Sequence, residues 1–246
     1  MNIKSILVSQ PEPKTQKSPF KDLADKFKLK VEFRSFIHVE GIVPQEFRKD
    51  RINLGDFTAV IFTSRMAVDH YFRIAGETRF AVPDEMKYFC ISEAVAYYLQ
   101  NYVVYRKRKI FFGKQSFIDL IDTINKHNTE KFLVPCSDIQ RKIIPELLTK
   151  NEINYKNAVL YKTVCSDLSD LEDVKYDMLV FYSPSGVQSL VKNFPNFQQN
   201  GTKIAAFGPT TAKAAEELGL RIDIKAPMPG IPSMTMAIED FIKTNK

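Results

Sequence analysis

Only three cysteines (Cys90, Cys136 and Cys165) occur in the 246 residues. Their odd number and wide spacing argue against a disulfide framework and predict a reducing, cytoplasmic setting. Histidine is equally sparse. His38, His70 and His127 stand alone, with no ligand spacing to one another or to the cysteines, so no metal site is expected. No apolar run approaches the roughly 20 residues of a membrane span. Residues 1–9 are too short for a signal-peptide core and lack a small-residue cleavage site, so neither membrane nor export is expected. A glycine-rich dinucleotide fingerprint is missing, and Gly113-Lys114 has no upstream glycine at the spacing of a phosphate loop. Zinc-finger, helix-turn-helix and RNA-recognition signatures are missing too, which leaves no case for a nucleic-acid partner.

Hydrophobic content of 44% and charged content of 26% lie in the globular range. The formal net charge of +6 favours an anionic or polycarboxylate ligand over a cationic one, although a lysine-rich solvated surface explains it as simply. The length suits one large domain or two of ordinary size.

Short apolar strands alternate with helices along the whole chain. Strands are expected at 3–8, 30–39, 58–62, 87–91, 110–112, 131–134, 158–164, 178–182, 202–207 and 222–225. Helices are expected near 18–28, 64–74, 93–100, 116–126, 139–149, 212–218 and 234–244, with another opening at Pro184 after the N-cap residue Ser183. Gly41 and Pro44 mark a crossing segment. The order of elements repeats: Leu7 answers Leu133, Ser64 answers Ser183 and Ser92 answers Gly208, at offsets of roughly 116 to 126 residues, a domain-sized duplication and not a solenoid. Alternating strands and helices imply two parallel-sheet α/β domains, with ligand-facing loops at the carboxyl ends of the strands.

Three strand-to-helix turns carry the visible chemistry: Phe62-Thr63-Ser64, Tyr182-Ser183-Pro184-Ser185-Gly186 and Phe207-Gly208-Pro209-Thr210-Thr211. Each can offer backbone N–H groups and hydroxyls to a carboxylate. Ordinary helix capping accounts for any one of them. Cys136 lacks a histidine partner motif and reads as a buried thiol. Tyr161, in a strand beside Lys162, is compatible with plain packing.

An ordered set of motifs nevertheless resembles one family. The set comprises Phe132-Leu133-Val134-Pro135-Cys136-Ser137 with Arg141 and Pro145-Glu146-Leu147-Leu148, then Leu160-Tyr161-Lys162-Thr163, the Phe181 to Gly186 turn, and Ile204-Ala205-Ala206-Phe207-Gly208-Pro209-Thr210-Thr211-Ala212. In that order and spacing, over nearly the whole chain, it is similar to uroporphyrinogen-III synthase. The resemblance implies an α/β fold of two similar parallel-sheet, flavodoxin-like domains, joined by a two-stranded β-ladder with a cleft between them. Residues 1–36 and 166–246 would form a discontinuous first domain and 40–162 the second, with connecting strands at 31–39 and 158–165.

The implied reaction closes hydroxymethylbilane, inverts its last ring and yields uroporphyrinogen III and water, without cofactor or metal. Such an enzyme would be a hydro-lyase of haem biosynthesis, monomeric and cytoplasmic, able to take its substrate directly from hydroxymethylbilane synthase. Tyr161 matches the family tyrosine proposed to assist departure of the hydroxyl. Thr63, Ser64, Ser183, Ser185, Gly208, Thr210 and Thr211 match substrate-lining positions, and Lys203 is a further carboxylate partner. Two departures stand out: Ser92 and Val95 replace the usual glycine and threonine in the turn after residue 91, and Arg65 replaces a small residue or proline. Ser92 and Arg65 are therefore candidate contacts peculiar to this chain. A two-lobed protein that binds a tetrapyrrole or another polycarboxylate without turning it over is the rival from another class, and the altered 92–95 turn leans towards it.

Overall fold

A computed structural model of the chain describes residues 3–13, 18–114, 116–139, 142–171 and 174–245. Arg141, part of the motif around residue 136, and residues 172 and 173 of the acidic stretch lie outside the described residues. The chain divides into two compact units, Met1–His38 with Val164–Lys246, and Val39–Thr163.

In chain order the elements are β1 (Ser5–Val8), α1 (Pro19–Phe27), β2 (Lys30–Phe33), β3 (Ile37–Gly41), α2 (Pro44–Lys49), β4 (Ala59–Phe62), α3 (Arg65–Glu77), β5 (Lys87–Cys90), α4 (Glu93–Leu99) and β6 (Ile110–Phe112). Then follow α5 (Phe117–Asn125), β7 (Phe132–Ser137), α6 (Ile143–Lys150), β8 (Tyr155–Cys165), β9 (Met178–Phe181), α7 (Pro184–Asn193), β10 (Lys203–Phe207), α8 (Pro209–Glu217), β11 (Ile224–Ala226) and α9 (Met234–Thr244). No helix among the described residues is long and apolar enough to cross a membrane.

The strand expected over 30–39 is two strands. β2 pairs with β1 and ends at Phe33, opposite Val8, whereas β3 belongs to the other sheet, beside β8. Phe36, which lies on the polar side of the apparent alternation, is the sign of the break. It is 1% exposed and packs edge-on against Phe181, 5.8 Å between ring centroids. The crossing segment at Pro44 holds a short helix, α2, which the proline opens.

One sheet has the order β11-β10-β9-β1-β2, the other β3-β8-β7-β4-β5-β6. Both follow one plan. With β7 and β8 in the places of β1 and β2, and β4, β5 and β6 in those of β9, β10 and β11, the two orders coincide over five strands, and β3 is an added edge strand beside β8. It is a flavodoxin-like arrangement, with the pairings β1–β2, β1–β9, β4–β5 and β4–β7 all parallel. Each unit thus combines the first strands of one sequence repeat with the last strands of the other.

Alternation along the central strands explains the helices on both faces. In β4, Val60 and Phe62 pack with Val68 and Tyr71 of α3, while Ala59 and Ile61 pack with Leu120 of α5 and Leu148 of α6. In the first unit, Val8 and Val180 meet Leu23 of α1 and Ile238 of α9, and Leu7 and Phe181 meet Leu190 of α7 and Ala215 of α8. Phe62 and Phe181 are wholly buried, so trimming either to alanine is expected to cost about 3–5 kcal/mol. This packing presents the strand-to-helix turns of each sheet along one edge.

Candidate functional site

In the second unit, β4 ends at Phe62 and the chain turns through Thr63 into α3. Ser64 caps that helix: its backbone is extended (φ −162°) and its Oγ accepts the Ala67 N–H at 3.1 Å. Thr63 and Ser64 line a cavity of about 290 Å³ together with Cys136 and Ser137 of β7 and Tyr161 of β8. An irregularity in the β7–β8 pairing sets the tyrosine there: Cys136 lies opposite Val159, but Ser137 lies opposite Tyr161.

Tyr161 is 9% exposed. Burial pushes its phenol above the ordinary value, a hydrogen bond with the Ser64 side chain opposes that, and Cys136 adds to the rise. The hydroxyl is thus a neutral donor near pH 7, suited to giving a proton to a departing group and not to abstracting one. Burial likewise pushes the Cys136 thiol up to about 11, against a hydrogen bond to the Ala158 carbonyl. The thiol is 3.5 Å from that oxygen and is no nucleophile near neutrality.

The other expected residues of this unit sit differently. Arg65 is exposed, its guanidinium carbon 5.3 Å from the centre of the Tyr98 ring. Ser92 is the N-cap of α4, but its side chain makes no capping bond. Val95, where the resemblance would place a hydroxyl, is buried in the core.

In the first unit the same edge carries the β9–α7 and β10–α8 turns, brought side by side by the parallel pairing of β9 with β10. Ser183 Oγ accepts the Gly186 N–H at 3.1 Å, the bond that Ser64 makes in the second unit. Ser185 is half-buried in the first turn of α7. Gly208 has φ +86°, a left-handed conformation that a side chain would strain, and it opens α8 ahead of Pro209. Thr210 is exposed, whereas Thr211 is 1% exposed and turned inward. The Tyr182 and Phe207 rings, 5.5 Å apart, border a separate hollow of about 370 Å³ that reaches Phe20 of α1 and Met234 of α9.

Lys203 is not brought to these turns. It starts β10, at the amino edge of the sheet, and its ammonium lies 3.2 Å from Asp223. Burial raises the Asp223 carboxyl, but hydrogen bonds from the Ile204 N–H, Arg221 and Lys203 outweigh it and leave the pKa lowered. Lys203 therefore holds β10 to the segment before β11.

Sequence reasoning also passed over His70. Its ring stacks on Tyr161, with centroids 4.9 Å apart and planes at 19°. The available signal was its spacing from Arg73, three positions on along one face of α3.

The family model described as uroporphyrinogen-III synthase HemD matches residues 18–236. A uroporphyrinogen-III synthase from Chlorobaculum parvum is 26% identical over 263 residues, covering 98% of this chain and all of that protein. Among solved structures, uroporphyrinogen-III synthetase from Helicobacter pylori 26695 aligns with a TM-score of 0.57 and 18% identity, over 98% of this chain and all of that one, a likeness of fold. The chain belongs to the uroporphyrinogen-III synthase family.

Proposed function

We propose that the chain converts hydroxymethylbilane into uroporphyrinogen III and water, as a cofactor-independent hydro-lyase of haem biosynthesis. Tyr161 carries the reading: a buried, neutral phenol beside Thr63 and Ser64 in one cavity. Its proton goes to the departing hydroxyl, which leaves as water, while the adjoining pyrrole nitrogen donates its lone pair to the carbon left behind. The substituted carbon of the last ring then attacks that centre, and the spirocyclic product rearranges, loses a proton and closes with the ring inverted. The chemistry asks the protein mainly to hold a reactive chain in one conformation, so catalysis is by positioning with one general acid.

Binding falls to the carboxylate-suited turns. Thr63, Ser64 and Ser92 in the second unit, and Ser183, Ser185, Gly208 and Thr210 in the first, offer hydroxyls or helix-start N–H groups to the substrate's carboxylates, whereas Thr211, turned inward, does not reach them. Arg65 adds a cation. Lys203 would join them only after leaving Asp223. We place the enzyme in the cytoplasm as a monomer able to receive its unstable substrate directly from hydroxymethylbilane synthase.

The test is incubation with freshly made hydroxymethylbilane, followed by oxidation and separation of the uroporphyrin isomers. Predominant type III product is expected. Type I alone, the product of spontaneous closure, would overturn the proposal, and tetrapyrrole binding without type III product would make the chain a non-catalytic binder.

A further inference from the structure

His70 and Arg73 project from one face of α3. The Arg73 Nε–H donates to His70 Nδ1 at 3.2 Å. Its Nη2 donates to the carbonyls of Ile42 at 2.9 Å and Leu160 at 3.1 Å, and its Nη1 pairs with Glu77 at 2.8 Å. The guanidinium therefore cannot swing freely. It lies directly across Gly41 of β3, where an added Cβ would sit 2.6 Å from Nη2 and 2.7 Å from Cζ, closer than packed atoms approach. What this glycine supplies is room for Arg73.

A guanidinium only donates, so the lone pair at His70 Nδ1 is the acceptor, and the imidazole is neutral with its proton on Nε2. Burial and the Arg73 charge both oppose a second proton, against the favourable pull of Asp69 and Glu77. The face of this fixed ring lies on Tyr161. Tyr161 lines the cavity, and His70 does not.

We infer that His70 is a positioning residue for the reaction: a neutral imidazole, locked in one tautomer by Arg73 across Gly41, that holds the Tyr161 ring in its cavity-lining orientation. The inference rests on the role of Tyr161 proposed above. A displaced phenol would still allow substrate to bind but would donate its proton from the wrong place.

Replacing His70→Leu removes the flat face, and is expected to lower kcat for type III product about tenfold with little change in KM. His70→Phe keeps a ring face without the nitrogen and should recover most of that loss. The variant Gly41→Ala displaces Arg73 and should slow turnover in the same direction from outside the cavity. In the double variant with Tyr161→Phe, His70→Leu should add nothing, because the two losses share one cause. With only three histidines in the chain, ¹⁵N imidazole spectra can read the tautomer directly: His70 should carry its proton on Nε2, and Arg73→Met should release that preference. Unchanged kcat in His70→Leu while Tyr161→Phe is slow, additive losses in the double variant, or a proton on Nδ1 would each overturn this inference and leave the proposed function standing. An unchanged rate in Tyr161→Phe would overturn the role of both residues.

Discussion

The two units are built on one strand plan and open their helices with one device, yet in the second the cap serine lines a cavity with a buried phenol, whereas in the first Tyr182, next to the cap, borders a hollow that Ser183 does not line. Ser64 and Ser183 both accept an amide three residues on, at the same 3.1 Å. The differences gather around those caps. Arg65 follows Ser64 where Pro184 follows Ser183, and the adjoining turn begins with Ser92 in one unit and with a left-handed Gly208 in the other. β2 stops at Phe33 after four residues, whereas its counterpart β8 runs for 11 and carries Tyr161 past the irregularity opposite Ser137. Duplication thus supplies two edges of helix N-termini suited to carboxylates. A longer strand supplies the proposed acid, Tyr161, once.

The sharpest way to break this asymmetry is to remove each unit's tyrosine hydroxyl. Tyr161→Phe is expected to lower kcat by about two orders of magnitude, the lower end for loss of a general acid, with a smaller change in product affinity. Tyr182→Phe in the first unit, whose phenol burial pushes up to about 12, should change kcat by less than about threefold. Steady-state kinetics with isomer separation measures both. Equal losses would mean that the chemistry is not confined to the second unit.

Acid should act next on the half-buried carboxylates of the first unit. In the first, the Asp177 carboxylate accepts the N–H groups of Lys4 and Ser5 at 2.8 and 2.9 Å, and Asp223 accepts from Ile204 at 3.0 Å. Burial raises both carboxyls, but those bonds outweigh it and leave both pKa values lowered. A lowered folded-state value stabilises the fold above the unfolded pKa of about 3.9, and that contribution is lost as pH falls through the folded value. Asp223→Asn keeps the shape but weakens the charge-assisted bonds and leaves Lys203 unpaired. It should cost about 2 kcal/mol at pH 7 by urea denaturation, and much less once the pH is low enough to protonate the wild-type carboxyl. A loss that persisted unchanged in acid would show that the packing of the side chain, not its charge, ties β10 to β11.

Most of the architecture was legible in the sequence because parallel strands covered on both faces are short apolar runs, and Ser64 and Ser183 cap their helices. The strand over 30–39 misled because alternation reports a strand's faces and is silent on which sheet it joins. Phe36, buried on the polar side, held the contrary information. α2 was missed because its six residues are too few to show a period. At the site, Thr63, Ser64 and Tyr161 were found through motifs of the resemblance, and the structure gathers them in one cavity. Lys203 reads as a free cation in sequence because nothing local announces Asp223, a partner 20 positions on. The Gly41–Arg73–His70 arrangement was hidden for the same reason. A glycine that makes room for a guanidinium looks, in one dimension, like any other turn marker.

The smallest effect is the most discriminating, because the two caps are alike as caps. Ser64→Ala and Ser183→Ala each remove an N-cap hydrogen bond and should cost about 1 kcal/mol of stability, and the glycine variants only a few tenths. Denaturation should therefore barely tell the two serines apart. Turnover should. Ser64 shares its cavity with Tyr161, and its side chain holds the phenol's pKa down against burial, so Ser64→Ala should lower kcat beyond what its lost stability explains. Ser183 does not line the hollow that the neighbouring Tyr182 ring borders, so Ser183→Ala should act on KM through the substrate's carboxylates. If Ser183→Ala instead lowered kcat as Ser64→Ala does, the repeated turn would serve the chemistry in both units, and the longer β8 would no longer account for the difference between them.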